Sequence, residues 1–140
     1  MEFVLLQWNC RSLIPHQAEL KHYLAEVKVK PAVICLQETW LNASKRITIP
    51  GYNIIRKDRD GAPGRGVATL IIEGLSYTVI DTPQDVEALS VQFKSTSNRV
   101  ITVTNIYHPS LSAIDVVPFR KLFEVWDSII VGDLNSFSSL

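Results

Sequence analysis

The stretch SIIVGDLN at residues 128–135 places three large apolar residues ahead of a glycine and two polar side chains. Successive side chains of a strand point to opposite faces, so Asp133 and Asn135 project to the same side. The apolar run predicts a buried strand. Its end would present a carboxylate and a carboxamide together, which indicates that this strand supplies part of an active site.

The composition is that of one globular domain, with 46% hydrophobic and 20% charged residues among 140. Basic and acidic residues balance at 14 each, so a nucleic-acid site would need a local basic patch. Cys10 and Cys35 are expected to be free thiols in a reducing compartment. No apolar run reaches the roughly 18 residues of a membrane helix, and the N-terminus does not resemble a signal peptide. We therefore expect an intracellular protein without a membrane partner.

Apolar and alternating runs predict about eight strands. They cover residues 3–8, 32–36, 51–56, 66–72, 77–81, 88–94, 99–107 and 128–134. Residues 88–94 alternate strictly, which predicts one buried face and one face in water. The strands between residues 51 and 107 follow one another with short turns, so we expect antiparallel pairing there.

Two helices are predicted as crossovers between strands. The first has an apolar face at helical spacing and ends at Pro31; the face comprises Leu20, Tyr23, Leu24 and Val27. The second is capped by Asp115 with Pro118 in its first turn; its apolar face comprises Phe119, Leu122, Phe123 and Trp126. This mixture predicts an α/β (α+β) sandwich, two sheets flanked by helices, and not a doubly wound sheet.

Four predicted strands end in polar residues that a plain turn does not explain. These residues are Asn9, Glu38, Tyr107, and Asp133 with Asn135. Each alone has an ordinary explanation, as a turn residue, a solvated strand end or a core tyrosine. Ligand sites form at strand ends, so the repeated pattern predicts that these residues meet at one rim of the sandwich.

Five motifs carry a resemblance to a known family: WNCRSL at residues 8–13, LQETWL at 36–41, GRGVATLI at 64–71, NIYHP at 105–109 and GDLN at 132–135. In this order and spacing the chain resembles the N-terminal part of the endonuclease/exonuclease/phosphatase superfamily. That superfamily includes apurinic/apyrimidinic endonucleases and pancreatic deoxyribonuclease. Within it, the chain most resembles the endonuclease domain of LINE-type non-LTR retrotransposons. The resemblance implies a deoxyribonuclease-like fold and a metal-dependent phosphodiesterase.

The resemblance also implies a role for each strand-end residue. Glu38 matches a glutamate ligand of Mg²⁺, with Mn²⁺ as an alternative ion, and Asn9 matches an asparagine that helps to hold the metal and the phosphate. Tyr107 matches a tyrosine that contacts the scissile phosphate. Asp133 matches the aspartate that acts on the attacking water or the leaving oxygen, and Asn135 matches an asparagine that orients the phosphate or that water.

Basic residues supply the candidates for DNA contact. Arg11 stands where apurinic/apyrimidinic enzymes have an acidic or amide residue, and it fits the retroelement branch. A cation-rich loop adds Arg56, Lys57, Arg59 and Arg65. Arginine and lysine are the usual phosphate contacts. Because Asp58 and Asp60 interrupt this loop, a solvated loop without a DNA contact is the alternative.

The resemblance also implies a missing part. The family's general-acid/base histidine lies near the C-terminus in a Ser-Asp-His setting, and His16, His22 and His108 do not match it. We interpret His108, beside the matched tyrosine, as a loop residue, with a replacement base as the alternative. We interpret residues 1–140 as one domain that is incomplete at the C-terminus by about a hundred residues.

Three functions remain open from the sequence. The first is a fragment of a Mg²⁺-dependent endonuclease domain that acts on DNA in a full-length parent, in the nucleus if the DNA is chromosomal, without a small-molecule cofactor. The second is a catalytically inactive remnant that self-associates through an exposed apolar face. The third is a phosphatase or phosphodiesterase that acts on lipids or inositol phosphates.

Overall fold

A computed structural model describes residues 3–59, 65–84, 86–108, 120, 124 and 127–134. Eight strands in these ranges form two four-stranded sheets. The first sheet has the order β1 (Leu5–Asn9), β2 (Val33–Gln37), β4 (Val67–Ile72), β3 (Tyr52–Lys57). The second has the order β5 (Thr78–Ile80), β6 (Glu87–Lys94), β7 (Val100–Tyr107), β8 (Ser128–Asp133). The predicted two-sheet sandwich is confirmed.

Strand direction decides where the ends of the strands lie. β1 pairs with β2 in parallel, and β7 pairs with β8 in parallel. The other pairs, β2–β4, β3–β4, β5–β6 and β6–β7, are antiparallel. The expected antiparallel pairing is thus found within each sheet, while the chain passes from the first sheet to the second between β4 and β5. Each parallel pair brings two carboxyl ends to the same edge.

The sheets pack through apolar inner faces, and a helix covers the outer face of the first sheet. The inner layer consists of Val33, Cys35 and Ile71 from the first sheet and Val91, Phe93 and Val103 from the second. Helix α1 (Leu13–Glu26) buries Leu13, Leu20 and Leu24 against the outer face. Each buried leucine contributes about 1.5–3 kcal/mol to stability. β2 is buried along its whole length, which explains its unbroken apolar sequence.

Four predictions about helices and faces are either wrong or concern residues outside the described ranges. Helix α1 ends at Glu26, before Pro31, and Tyr23 is 44% exposed, because it stands at the flank of the buried stripe. The predicted wet face of β6 is incorrect at Ser90, which is fully buried and hydrogen-bonded to Thr104. The second helix lies outside the described residues, apart from Arg120 and Glu124, whose backbones share one N–H···O bond of 3.2 Å. No helix in the part of the chain that the structure describes is long and apolar enough to span a membrane.

Gly132 allows β7 and β8 to approach closely. Its φ is +153°, and a Cβ atom there would lie 1.8 Å from the carbonyl oxygen of Ile106. Gly132 stands opposite Ile106 in the parallel register. A side chain at this position would therefore push β8 away from β7 and displace Asp133, the next residue.

Replacing Gly132 with alanine is expected to lower the free energy of unfolding by about 3 kcal/mol or more, because the new methyl group overlaps backbone atoms. Urea unfolding followed by circular dichroism measures the change. Gly74→Ala is the matched control: its φ is also positive, +92°, but nothing lies within 4 Å of the added Cβ. That control is expected to lose only about 1 kcal/mol from backbone strain. Equal losses in the two variants would contradict the steric argument.

Candidate active site

The polar strand ends meet at one end of the sandwich. Tyr107 and Asp133 stand side by side at the ends of β7 and β8, and Glu38 follows the last residue of β2. The Asn9 amide at the end of β1 donates from Nδ2 to Oδ2 of Asp133 at 2.8 Å. This bond joins the first sheet to the second. The structure therefore brings these four residues to one rim, while Asn135 lies outside the described residues.

Glu38 sits on a strained turn between two loops that are joined by backbone bonds. Its φ is +53°, a value that non-glycine residues adopt at a cost of about 1–3 kcal/mol. The amide of Ser12 donates to the Glu38 carbonyl at 2.8 Å, and the amide of Leu13 donates to the carbonyl of Thr39 at 3.0 Å. The turn after β1 and the turn after β2 are thus one unit, which holds Glu38 close to the end of β1.

Tyr107 has a phenol that resists ionisation. Burial raises the pKa of Tyr107, and the negative charges of Glu38, Glu87 and Asp133 raise it further. The phenol is therefore neutral at physiological pH and keeps its proton. It can donate a hydrogen bond to an oxygen of a bound phosphate.

Glu87 is a member of this site that sequence reasoning missed. It stands opposite Tyr107 in the β6–β7 register. Its carboxylate accepts a bond from the Gly66 amide at 2.9 Å and pairs with Arg59 at 3.1 Å. In the sequence, Glu87 is only an acidic residue at the start of an alternating strand. Its position beside Tyr107 depends on the pairing register of β6 and β7, which the local sequence does not give.

The oxygen atoms of this site suit a hard divalent cation. Oδ1 of Asn9 is buried and has no hydrogen-bond partner among the described residues, while Nδ2 is committed to Asp133. Leaving such an oxygen unpaired costs about 1–3 kcal/mol, which a cation ligated there would offset. Within the described residues no three or more histidine, cysteine, aspartate or glutamate side chains are gathered for a metal. An amide oxygen plus the Glu38 carboxylate, with water for the remaining positions, fits Mg²⁺ or Mn²⁺ better than zinc.

Arg56 and Lys57, two candidates for DNA contact, make bonds within the protein. Arg56 pairs with Asp58 and donates to the carbonyls of Lys45 and Asn42 at 2.7 and 2.8 Å. Nζ of Lys57 donates to two carbonyl oxygens of the segment before β6, at 3.0 and 2.7 Å. These bonds give both residues a structural role, and their contact with DNA stays a prediction.

The other three basic candidates lie around the site. Arg59 is held by Glu87. Arg11 is exposed and Arg65 is half-buried, and neither belongs to an ion pair among the described residues. Arg11 precedes the turn that holds Glu38, and Arg65 precedes Gly66. Their part in binding DNA also remains a prediction.

The three histidines occupy different surroundings. His16 lies in α1, where Nδ1 is 2.9 Å from the Ser12 carbonyl, and His22 is exposed on the same helix. His108 follows β7, and its backbone amide donates to the Asp133 carbonyl at 2.8 Å. His108 is therefore the histidine that the described structure brings to the site. Its use as a base stays a prediction.

Both cysteines are free and buried, as expected. Burial raises the pKa of each thiol to about 12. The Cys10 thiol also donates to the Gln37 carbonyl, with 3.3 Å between Sγ and O. Neither thiol forms a thiolate at neutral pH, so neither is a nucleophile in this site.

Solved structures of other proteins share this fold. The chain is similar to the endonuclease domain of TRAS1, a telomere-specific non-LTR retrotransposon, with a TM-score of 0.72, 20% identity, and coverage of 97% of this chain and 62% of that one. It is similar to an AP endonuclease from Archaeoglobus fulgidus, with a TM-score of 0.59, 23% identity, and coverage of 96% and 58%. It is also similar to ANGEL2, a 2′,3′-cyclic phosphatase, with a TM-score of 0.62, 16% identity, and coverage of 96% and 54%.

These similarities establish the fold, and the chain spans less than two thirds of the length of each of these structures. A comparison with curated protein sequences gives no significant match. The sequence model of the Endonuclease/Exonuclease/phosphatase family matches residues 6–139, which include every motif quoted above. With the two-sheet sandwich and the rim of polar strand ends, this match identifies the chain as a member of the endonuclease/exonuclease/phosphatase family.

Proposed function

We propose that this chain is part of a Mg²⁺-dependent DNA endonuclease domain of the non-LTR retrotransposon type. The observation that carries the proposal is the hydrogen bond between Asn9 and Asp133, which leaves Oδ1 of Asn9 buried and unpaired beside a carboxylate-rich rim. Family membership and the similarity to the TRAS1 endonuclease domain support it. DNA is the proposed substrate, and the nucleus is the proposed place of action on chromosomal DNA.

The position of each rim residue allows it one role in phosphodiester hydrolysis. A cation held by Glu38 and Asn9 would supply positive charge to a phosphoryl oxygen. The neutral phenol of Tyr107 donates a hydrogen bond to an oxygen of the scissile phosphate. Asp133, whose Oδ2 is fixed by the Asn9 amide, orients the attacking water and accepts its proton. Asn135 is proposed to orient the phosphate or the same water.

The chain by itself is proposed to bind the metal weakly and to cleave slowly or not at all. It spans 62% of the TRAS1 domain structure, and none of His16, His22 and His108 stands in the Ser-Asp-His setting that the family resemblance implies. General acid–base groups contribute about 10²–10⁴ to a rate. A domain that lacks one of them loses a corresponding share of activity.

An inactive remnant is the second candidate. The observation in its favour is that β8 forms an edge of the second sheet in the described structure, with Ile129 37% exposed and Leu134 41% exposed. An apolar edge strand is a surface on which two copies of a chain can pair. A remnant of this kind would self-associate and would not cleave DNA.

We expect slow nicking of a supercoiled plasmid in Mg²⁺ that disappears in EDTA. Glu38→Gln removes a metal ligand and Asp133→Asn removes the proton acceptor, so each should lower the nicking rate at least tenfold. Glu19→Gln, on the exposed face of α1, is the matched carboxylate control and should nick like the parent chain. Nicking that survives both site variants would refute the residue roles. No nicking by the parent chain would leave the remnant as the better description.

Asn9→Ala is expected to weaken Mn²⁺ binding about tenfold or more, because it removes the buried amide oxygen and releases Asp133. The measurement is the rise in Tm on adding Mn²⁺, which is larger for tighter binding. Asn53→Ala, at an exposed position of β3, is the control. An unchanged Mn²⁺-dependent rise in Tm for Asn9→Ala would show that the metal binds elsewhere.

Tyr107 gives a prediction on pH. Its pKa is raised in the folded chain, so the stability linked to its neutral form is complete below about pH 10, the ordinary tyrosine pKa, and is lost as pH rises through the raised value. The free energy of unfolding of Tyr107→Phe should therefore fall less above pH 10 than that of the parent chain. Glu87→Gln should lower the pKa of Tyr107, as followed by phenolate absorbance. Identical pH profiles for parent and Tyr107→Phe would exclude a raised pKa.

A further inference from the structure

An exposed tryptophan stands on a strained backbone two residues after Glu38. Trp40 is 43% exposed and has a φ of +54°. The positive φ costs about 1–2 kcal/mol, and the exposed indole surface does not contribute the free energy that burial would give. Both neighbours are buried, Thr39 completely and Leu41 to 97% (it is 3% exposed). The backbone therefore turns Trp40 alone toward solvent.

Bonds on both sides hold this turn in place. The amide of Trp40 donates to the Arg65 carbonyl at 3.0 Å, and the amide of Thr39 donates to the Gly66 carbonyl at 3.2 Å. On the other side, the guanidinium of Arg56 donates to the Asn42 carbonyl at 2.8 Å. The structural bonds of Arg56 thus support the loop that presents the indole. A side chain presented by a fixed backbone loses little conformational entropy on binding.

The bonded segments connect Trp40 to the rim of the site. Arg65, which accepts the Trp40 amide, precedes Gly66, and Gly66 donates to Glu87 beside Tyr107. The other exposed aromatic residues of the described chain lie elsewhere. Tyr23 is on α1, and Phe3 precedes β1 and contacts the ring of Phe93.

Two cations lie in chain segments whose backbones are bonded to the loop that carries Trp40. Arg11 belongs to the turn that is bonded to the Glu38 turn, and the backbone carbonyl of Arg65 accepts the Trp40 amide. Neither has an ion-pair partner in the described ranges. An exposed aromatic side chain together with nearby cations is a combination that binds single-stranded nucleic acid, by stacking on a base and by attraction to phosphates.

We propose that Trp40 is a stacking platform for one nucleobase of the DNA strand whose phosphate enters the site, and that Arg11 and Arg65 contact the adjacent phosphates. The identity of the substrate as DNA rests on the proposed function. A base inside a duplex has no free face, so this surface favours a single strand or an unstacked nucleotide over regular duplex. Stacking accepts any base, so Trp40 selects for an unpaired nucleotide and not for a sequence.

The test is binding of a fluorescently labelled single-stranded oligonucleotide, followed by anisotropy in EDTA so that no cleavage takes place. Trp40→Ala should raise the Kd about tenfold, within the range known for base stacking, and Trp40→Phe should recover most of the affinity. Tyr23→Ala, an aromatic residue of equal exposure on α1, should bind like the parent chain. Trp40→Ala should keep the salt dependence of binding, whereas Arg11→Ala should reduce its slope by about one.

An abasic series separates stacking from a structural effect. Removing the contacted base should weaken binding to the parent chain but not to Trp40→Ala. The stacking proposal is wrong if Trp40→Ala binds the oligonucleotide as tightly as the parent chain does. It is also wrong if Trp40→Ala lowers the affinity by the same factor on every abasic strand, whichever base is missing. Trp40-dependent binding to phosphatidylserine vesicles in place of DNA would also overturn it. If the parent chain binds no DNA, both this proposal and the proposed function fail. If nicking depends on Glu38 but Trp40→Ala does not change DNA binding, only this proposal is overturned.

Discussion

A buried amide bridge fixes how the two sheets face each other. The side chain of Asn105 lies between the sheets, donates to the Ala68 carbonyl at 2.9 Å and accepts a bond from Nε2 of Gln37 at 2.8 Å. Both residues are fully buried, so each polar atom needs a partner. A shift of one sheet along the other would break these bonds. Since Gln37 precedes Glu38 and Asn105 stands two residues before Tyr107, the same bonds fix how the two functional strand ends face each other.

The rim brings three carboxylates together, and contacts within the protein reduce the repulsion between them. Glu38, Glu87 and Asp133 all act on the Tyr107 phenol, and like charges at such proximity repel one another. Two sets of contacts offset part of this repulsion. The Asn9 amide donates to Asp133, and Arg59 together with the Gly66 amide stabilises the Glu87 carboxylate, whereas the open oxygen of Asn9 adds to the negative potential. The remaining negative potential is what a divalent cation would neutralise, so the electrostatics and the donor set agree.

The strands could be predicted from sequence because apolar periodicity is a local property. The continuous run of β2 and the alternation of β6 decided the assignments, and the polar residues at the ends of β1, β2, β7 and β8 marked the rim. What failed depends on distant contacts. Glu87 enters the site only through its register with Tyr107, and Ser90 is buried only because the other face of the second sheet is covered. The bonds of Arg56 to a loop 14 residues earlier in the chain were equally invisible in the pattern.

The hydrogen bond between Asn9 and Asp133 links residues 124 positions apart. The entropy of closing so long a segment of chain is lost before the contact can contribute to stability. During synthesis, the first half of the site leaves the ribosome well before the second half exists. A nascent chain therefore carries Glu38 and Tyr107 before Asp133, the proposed proton acceptor, has been made. Under the proposed function, phosphodiester chemistry through Asp133 would be withheld from the growing chain until β8 has been made and has paired with β7.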